Sequence, residues 1–247
     1  MKITFLGTNG WYDTSTGNTI CILIETERYD IILDAGNGLY KADRYISNKK
    51  PVYLFLSHFH LDHIIGLHIL GKFNFNQGLY ICGQTGTKEI LNKIINLPFS
   101  MPIERLGYKI DLYDLPEKKQ KIPFKFEFLP LFHSSLTLGY RFELDNKIIS
   151  YCPDTGYCEN AVNLAKNSGL LITECAFKPG QASDDWPHLN PETAARIAKE
   201  AAAKKLALVH FDASIYQTLE ERKQAEEVAK KIFGNTVAAI DDMQIEM

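Results

Sequence analysis

Long apolar runs are missing from this chain. No stretch reaches the length needed to span a bilayer. The N-terminal MKITFLGTNGW reads as a strand and a Gly turn, without the longer apolar core and small-residue cleavage site of a signal peptide. A surplus of positive charge is missing too. Lys and Arg total 27 against 30 Asp and Glu, for a net charge of −3, which argues against free-standing nucleic-acid binding and its basic patch or stripe. The longest basic cluster, Lys118, Lys119 and Lys121, reads as a solvated loop. Cysteine is scarce: the five are an odd number, widely spaced, with no C-x-x-C pair, which favours reduced, packed thiols and a cytoplasmic address. There is no low-complexity segment and no linker.

What is present is ordinary for a globular protein. The 247 residues are 45% hydrophobic and 23% charged, enough to bury a sizeable core, and residues 1–247 read as one domain. Short β-rich runs dominate the first part: KITFL, TICILIE, YDIILD and VYLFLS. A helix is predicted over Thr87–Asn96, stopped before Pro98, and residues 98–123 read as an irregular, proline-rich connection. Strands resume with FKFEFLPL, LGYRFEL, KIISYC and GLLITE, with a short helical piece near Glu159–Lys166 between the last two. The clearest helix follows Asn190, a good N-cap, with Pro191 in its first turn and Glu192 complementing the dipole. A strand LALVHF and a last helix, about Leu219–Phe233, complete the chain. Two halves, roughly 1–120 and 121–247, echo each other: YDIILDAGNG resembles NKIISYCPDTGY, and VYLFLSHFH resembles GLLITECAF. Asp34 and Asp154 are thus predicted at corresponding strand ends, where α/β folds tend to place their sites.

The densest chemistry lies in LSHFHLDHIIG, directly after the apolar VYLFL. In an extended segment alternate side chains share a face, so His58 and His60 point the same way. Asp62 and His63 follow at a turn or helix start. One short stretch can therefore offer two nitrogens to one metal ion and an oxygen–nitrogen pair to a second. Imidazole and carboxylate suit zinc, and also iron or manganese. A single His is usually a packed or surface residue; three His and one Asp at H-x-H-x-D-H spacing after a buried strand form a specific signal.

SHFHLDH resembles the signature of the metallo-β-lactamase fold superfamily, and further motifs follow in order along nearly the whole chain: LDAG at Asp34, FHSSLTLGYRFE at His133, CPDTG at Asp154 and LVHFD at His210. The resemblance implies an α/β protein, an αββα sandwich of two mixed β-sheets flanked by helices. It also implies two divalent metal ions, zinc first and manganese or iron as alternatives. One would take His58, His60 and His133, the other Asp62, His63 and His210, with Asp154 bridging. Asp34 would orient a ligand or bond loop amides, and His68 would be no ligand. Two metals about 3.5–4 Å apart can activate a bridging water and stabilise a developing oxyanion.

Within that superfamily HSSLTLGYRFE and LLITECAF resemble ribonuclease Z and related phosphodiesterases, with Thr137 where those enzymes carry Ser. HLNPETAARIAKEAAAKKLALVHF resembles their stretch from a His-x-Thr to the last ligand, Asn190 replacing the Thr. The resemblance makes Glu174 and His188 a pair near the leaving group, with His188 supplying its proton. Asp62 would serve as ligand and base. The tRNA-gripping arm of ribonuclease Z sits between the third His motif and the bridging Asp. Here His133 and Asp154 lie only 21 positions apart (154 − 133), filled by strand, turn and strand.

The expectation is therefore a dinuclear metal-dependent hydrolase: a phosphodiesterase for cyclic nucleotides, cyclic phosphates or small nucleic-acid ends. Its partner is a small anionic substrate; long nucleic acid and membrane are not expected, and dimerisation is a family-level expectation. A lactonase or thioesterase of the same fold is the alternative. A tRNA 3′-endonuclease, an iron-dependent redox protein and a non-catalytic metal-stabilised binding module rank lower. The loop GTNGWYDTSTGNT is expected to rim the cleft, with Trp11, Tyr12 and Trp186 either stacking on substrate or simply packing.

Overall fold

The computed structural model describes residues 1–247. The first half of the chain supplies β1 (Lys2–Gly7), β2 (Asn9–Gly10), β3 (Cys21–Glu25), β4 (Asp30–Leu33), β5 (Val52–Phe55), β6 (Leu79–Gln84) and β7 (Ile110–Leu115). The second supplies β8 (Lys125–Leu131), β9 (Thr137–Leu144), β10 (Lys147–Cys152), β11 (Leu170–Glu174), β12 (Leu206–Val209), β13 (Phe211–Asp212), β14 (Thr236–Ala238) and β15 (Gln244–Glu246). The α-helices are α1 (Leu61–Ile64), α2 (Thr87–Ile94), α3 (Glu159–Ala165), α4 (Pro191–Glu200) and α5 (Leu219–Lys230).

Two sheets face each other. The seven-stranded one runs β15-β1-β3-β4-β5-β6-β7 and the six-stranded one β14-β12-β11-β10-β9-β8. Alternation along the strands builds the layer between them: Leu138, Tyr140, Phe142 and Leu144 of β9 all point inward, against Phe5, Ile22, Leu33 and Phe55 of the first sheet. The opposite faces are covered as well. Residues such as Leu23, Ile32 and Leu54 pack beneath α2 and two 3-10 helices (Asn37–Arg44 and Ile65–Lys72), while Leu171 and Leu208 pack beneath α3, α4 and α5. Burial on both faces is why these strands read as near-continuous apolar runs. The result is the αββα sandwich. No helix is long and apolar enough to cross a membrane. All five cysteines are free, four of them buried.

The internal echo is visible as topology. Along β1-β3-β4-β5-β6-β7 the pairings are antiparallel twice and then parallel three times. Along β8-β9-β10-β11-β12-β14 the same series recurs. Asp34 and Asp154 both follow the third strand of their series, and the metal-motif loop and Glu174 both lie at the end of the fourth. The two halves are not closed units, because β15 returns from the C-terminus to pair with β1.

Three expectations need correction. The span 98–123 is not wholly irregular: it contains β7, IDLYDL, a partly exposed strand parallel to β6. Its two Asp residues break the apolar alternation and its burial does not alternate, so no strand pattern stands out among the surrounding prolines. Two predicted helices also end early, at Ile94 rather than Asn96 and at Lys230 rather than Phe233. Between β9 and β10 the chain turns on Asp145 and Asn146, both in the left-handed region (φ 46° and 59°), as a tight hairpin between right-twisted strands requires.

Candidate metal centre

Most motif residues sit where a strand ends. Asp34 follows β4, His58 and His60 follow β5, His133 follows β8, Asp154 follows β10, and His210 separates β12 from β13. Asp62 and His63 lie in the single turn of α1, for which the extended His60 (φ −60°, ψ 144°) is the N-cap. Two of these positions are in unusual backbone conformations, Asp34 at φ 55° and His210 at φ 52°, which fits the clustering of backbone outliers at functional sites.

These ends converge. One ligand atom each from His58, His60, His133 and Asp154 lie within 4.8 Å of one another, and the same holds for Asp62, His63 and His210. Asp154 adjoins both groups: Oδ2 is 3.8 Å from His58 Nε2 and 3.7 Å from His133 Nε2, while Oδ1 is 3.1 Å from His63 Nε2 and 3.2 Å from His210 Nε2. Asp62 Oδ2 lies 3.2 Å from His210 Nε2 and 3.7 Å from His63 Nε2. His68 is exposed and bonds the Ile65 carbonyl, away from the cluster.

Hydrogen bonds orient three of the rings, His58, His63 and His133. Asp34 Oδ2 accepts from the Ser57 hydroxyl (2.8 Å), from His63 Nδ1 (2.8 Å) and from Tyr151 OH (2.6 Å). Ser57 spends its one hydroxyl proton on Asp34, so its oxygen accepts from His58 Nδ1 at 2.9 Å. His133 Nδ1 faces the Pro187 carbonyl at 3.4 Å. The Nε2 atoms of His58, His63 and His133 are thereby turned toward the Asp154 carboxylate. His63 Nε2 also meets His210 Nε2 at 3.1 Å. His58 Nε2 and Asp154 Oδ1 are buried without a hydrogen-bond partner. Buried electron-pair donors facing one another are costly alone and are what a cation would complete, so the residues present fit a dinuclear divalent centre. One buried carboxylate, Asp34, orients a ring from each group, the arrangement that second-tier partners of metal-binding imidazoles adopt.

Electrostatics divides the cluster. Burial pushes His58, His60 and His133 below the ordinary imidazole value, leaving neutral rings ready to donate a lone pair. Burial also disfavours charge on His63 and His210, but there the carboxylates outweigh it: Asp154, Asp62 and Asp34 raise His63, and Asp154 and Asp62 raise His210. Burial acts to raise Asp62 and Asp154 as well. The facing imidazoles win, holding both carboxylates below the usual range.

Beside this cluster His188 Nδ1 donates to Glu174 Oε1 at 2.7 Å. The Glu174 carboxylate also accepts from the backbone amides of Thr155 (2.6 Å), Ala176 (3.1 Å) and Leu189 (3.1 Å), so it is fully buried yet well satisfied. Burial lowers the His188 pKa, but Glu174 outweighs it and pushes it up to about 9. The entry to α4 is held by the predicted cap, Asn190 Oδ1 accepting from Thr193 N at 2.9 Å.

A cavity of about 700 Å³ opens over these groups, lined among others by His60, Asp62, Asp154, His188, Trp11 and Trp186. Trp186 lies parallel to the His60 ring (9°, centroids 6.0 Å apart), half exposed, and Trp11 is 66% exposed. Both aromatic side chains therefore present surface rather than pack in a core.

Several contributors escaped sequence reading. Ser57 was within view, as the first residue of SHFHLDH. Tyr140 OH donates to the Leu56 carbonyl at 2.6 Å and Leu138 N to the Ser57 carbonyl at 3.0 Å, tying the metal loop to β9. That gives the LGYRFE motif a physical role. Tyr151 and the Trp11 amide, which donates to Asp62 Oδ2 at 2.8 Å, carry no local signal. Gly10 is required because a Cβ there would lie 2.5 Å from the His210 ring. Gly36 and Gly66 let the Asp34 loop and α1 meet backbone to backbone.

Known proteins share the sequence pattern and fold of this chain. The probable metallo-hydrolase YhfI of Bacillus subtilis is 27% identical over 218 residues, covering 85% of this chain and 87% of its own. Its crystal structure superposes with a TM-score of 0.79 over 100% of this chain and 98% of that one, at 25% identity. Ribonuclease Z of Sulfolobus acidocaldarius is 28% identical, covering 95% of this chain and 94% of its own, but over 281 aligned positions, more than this chain's 247 residues. The crystal structure of the short form of human tRNase Z shares the fold (TM-score 0.78, 20% identity, 100% of this chain and 98% of that one). The family model described as the beta-lactamase superfamily domain matches residues 29–211, from the strand before Asp34 to just past His210, and the chain belongs to that family.

Proposed function

We propose that this protein is a metal-dependent phosphodiesterase acting on small substrates such as cyclic nucleotides, cyclic phosphates or short nucleic-acid ends. Membership of the family and the relatives' names support the coarser reading, a metal-dependent hydrolase. The observation that carries the finer one is the Glu174–His188 pair at 2.7 Å, through which buried Glu174 holds His188 at the cavity wall beside the candidate ligands.

Two divalent cations, held by His58, His60 and His133 and by Asp62, His63 and His210 with Asp154 between them, would polarise the phosphoryl group and supply an activated water. Asp62 lines the cavity and is held ionised by its imidazole neighbours, so it can accept a proton from the attacking water. His188, kept protonated by Glu174, donates a proton to the departing alkoxide. Trp11 and Trp186 offer apolar surface to the organic part of the substrate. A 700 Å³ cavity suits a small ligand, and the tight β9–β10 hairpin leaves no arm with which to grip tRNA.

The test is turnover of bis-aryl phosphates, cyclic nucleotides, lactones and thioesters by metal-analysed protein. Turnover of the phosphodiesters with about two zinc or manganese per chain is expected. Turnover confined to lactones and thioesters would replace this reading by the alternative hydrolase, which shares the metals but has no use for the Glu174–His188 pair.

A further inference from the structure

Arg222 is among the largest side chains buried in the molecule, 1% exposed on α5, and no carboxylate touches it. A buried guanidinium without a paired anion is costly, and burial pulls its pKa down to about 10. Its partners are neutral oxygens of one loop. Nη1 donates to Thr8 Oγ1 at 2.9 Å, and Nη2 to Asn9 Oδ1 and to Thr16 Oγ1 at 2.8 Å. The guanidinium also sits 4.8 Å from the centre of the Phe211 ring. The nearest negative charge, Asp241, acts through Thr8, whose hydroxyl donates to Asp241 Oδ1 at 2.8 Å.

These contacts fall on the two-stranded sheet β2/β13, where Asn9 pairs with Phe211 and Gly10 with Asp212. His210 is the residue just before β13, and its ring rests against Gly10. Trp11 is the residue just after β2, and its amide donates to Asp62 Oδ2. Asn9 continues the link by donating to the Tyr12 carbonyl and to Thr14 Oγ1, both at 3.1 Å. Arg222 therefore grips both strands of a clip whose ends meet two of the three residues in the Asp62–His63–His210 group. It has no such link to His58, His60 or His133.

We propose that Arg222 is a positioning residue for one half of the dinuclear centre, holding His210 and Asp62 in ligand geometry. This rests on the metal-centre reading given above, not on the identity of the substrate. The test is zinc affinity of the full chain, measured by competition with a chromogenic chelator, for wild type, Arg222→Met and Asn9→Ala, with thermal melting of each metal-free protein as the fold control. Wild type is expected to bind two zinc ions. In both variants one of the two equivalents should lose roughly 10- to 100-fold in affinity, the usual effect of removing an outer-tier partner, while the other changes little. Folded variants with both affinities unchanged, or with both lowered equally, would overturn the proposal. Should Arg222→Met fail to fold, Asn9→Ala decides by the same readout. Fewer than two zinc ions on wild type would overturn the dinuclear reading together with this inference. Two zinc ions without phosphodiester turnover would overturn only the proposed substrate.

Discussion

At the scale of single residues, the centre depends on protons being assigned before any metal arrives. Asp34 accepts hydrogen bonds from two side chains that neighbour or form the ligand groups, and from Tyr151 between the sheets. Tyr151→Phe removes one bond to a buried carboxylate and should cost about 1.5–3 kcal/mol, read as a lower denaturation midpoint. Asp62→Ala, which removes both a candidate ligand and the proposed base, should lower turnover by at least about 10²-fold with the fold retained by circular dichroism; substantial remaining activity would refute the role. His188→Gln should impair substrates with poor leaving groups most, because only they need the proton. The sign of its pH dependence follows from the raised pKa: the group is protonated below about 9 and loses its proton above, so activity falls as pH rises through that value. Two bound dications would pull the value down, so the alkaline limb is expected below 9. Its persistence in His188→Gln would count against the acid role.

At the scale of elements, short pieces do the placing. The single turn α1 redirects the chain so that Asp62 and His63 face a different point from His58 and His60, and the left-handed His210 diverts the chain from the six-stranded sheet into β13. Helix α5 stands behind that clip and is itself anchored. Glu226 accepts from Ala238 N of β14 at 2.8 Å and pairs with Lys223 and Lys230. Burial opposes its ionisation, but those donors outweigh it and hold the carboxyl below its usual value. Its contribution to stability is therefore full above the unfolded pKa, about 4.3, and lost as pH falls through the lower folded value. Glu226→Gln should reduce the melting temperature at pH 7 and narrow the gap from wild type in strong acid; an equal gap at both pH values would refute the ionised role.

At the scale of the whole molecule, the two sheets lock the site into the fold. The candidate ligands come from the ends of β5, β8, β10 and β12 and so from both sheets, and cations bound there would join them. Two metals each present at about 100 times their dissociation constant would add about 2.7 kcal/mol apiece, on the order of 10 °C in melting temperature for a chain of this size. Adding a chelator should reverse that shift; a chelator-insensitive melting curve would argue against structural metal binding. The repeated strand series places Asp34 and Asp154 at equivalent positions, yet one orients rings from beneath while the other lies between the two ligand groups. The weak echo between YDIILD and KIISYC gives no sign of this division of labour.

Much of the architecture could be read from residues alone, because burial on both sheet faces forces apolar runs and because H-x-H-x-D-H is too dense to be incidental. Strand β7 escaped because this partly exposed edge strand carries no period-2 apolar pattern and lies among prolines. The spacing of H-x-H-x-D-H nominates His58, His60, Asp62 and His63; Asp34, His133, Asp154, Glu174, His188 and His210 are nominated through the family resemblance of their motifs. Distances along the chain could not say which imidazole nitrogen is free, that the Trp11 amide meets Asp62 51 positions away, or that Arg222 reaches Asn9 across 213 positions. Those contacts exist only once two sheets and a distant helix have packed, since a hydrogen bond selects partners by angle and a few tenths of an ångström, and sequence spacing sets neither.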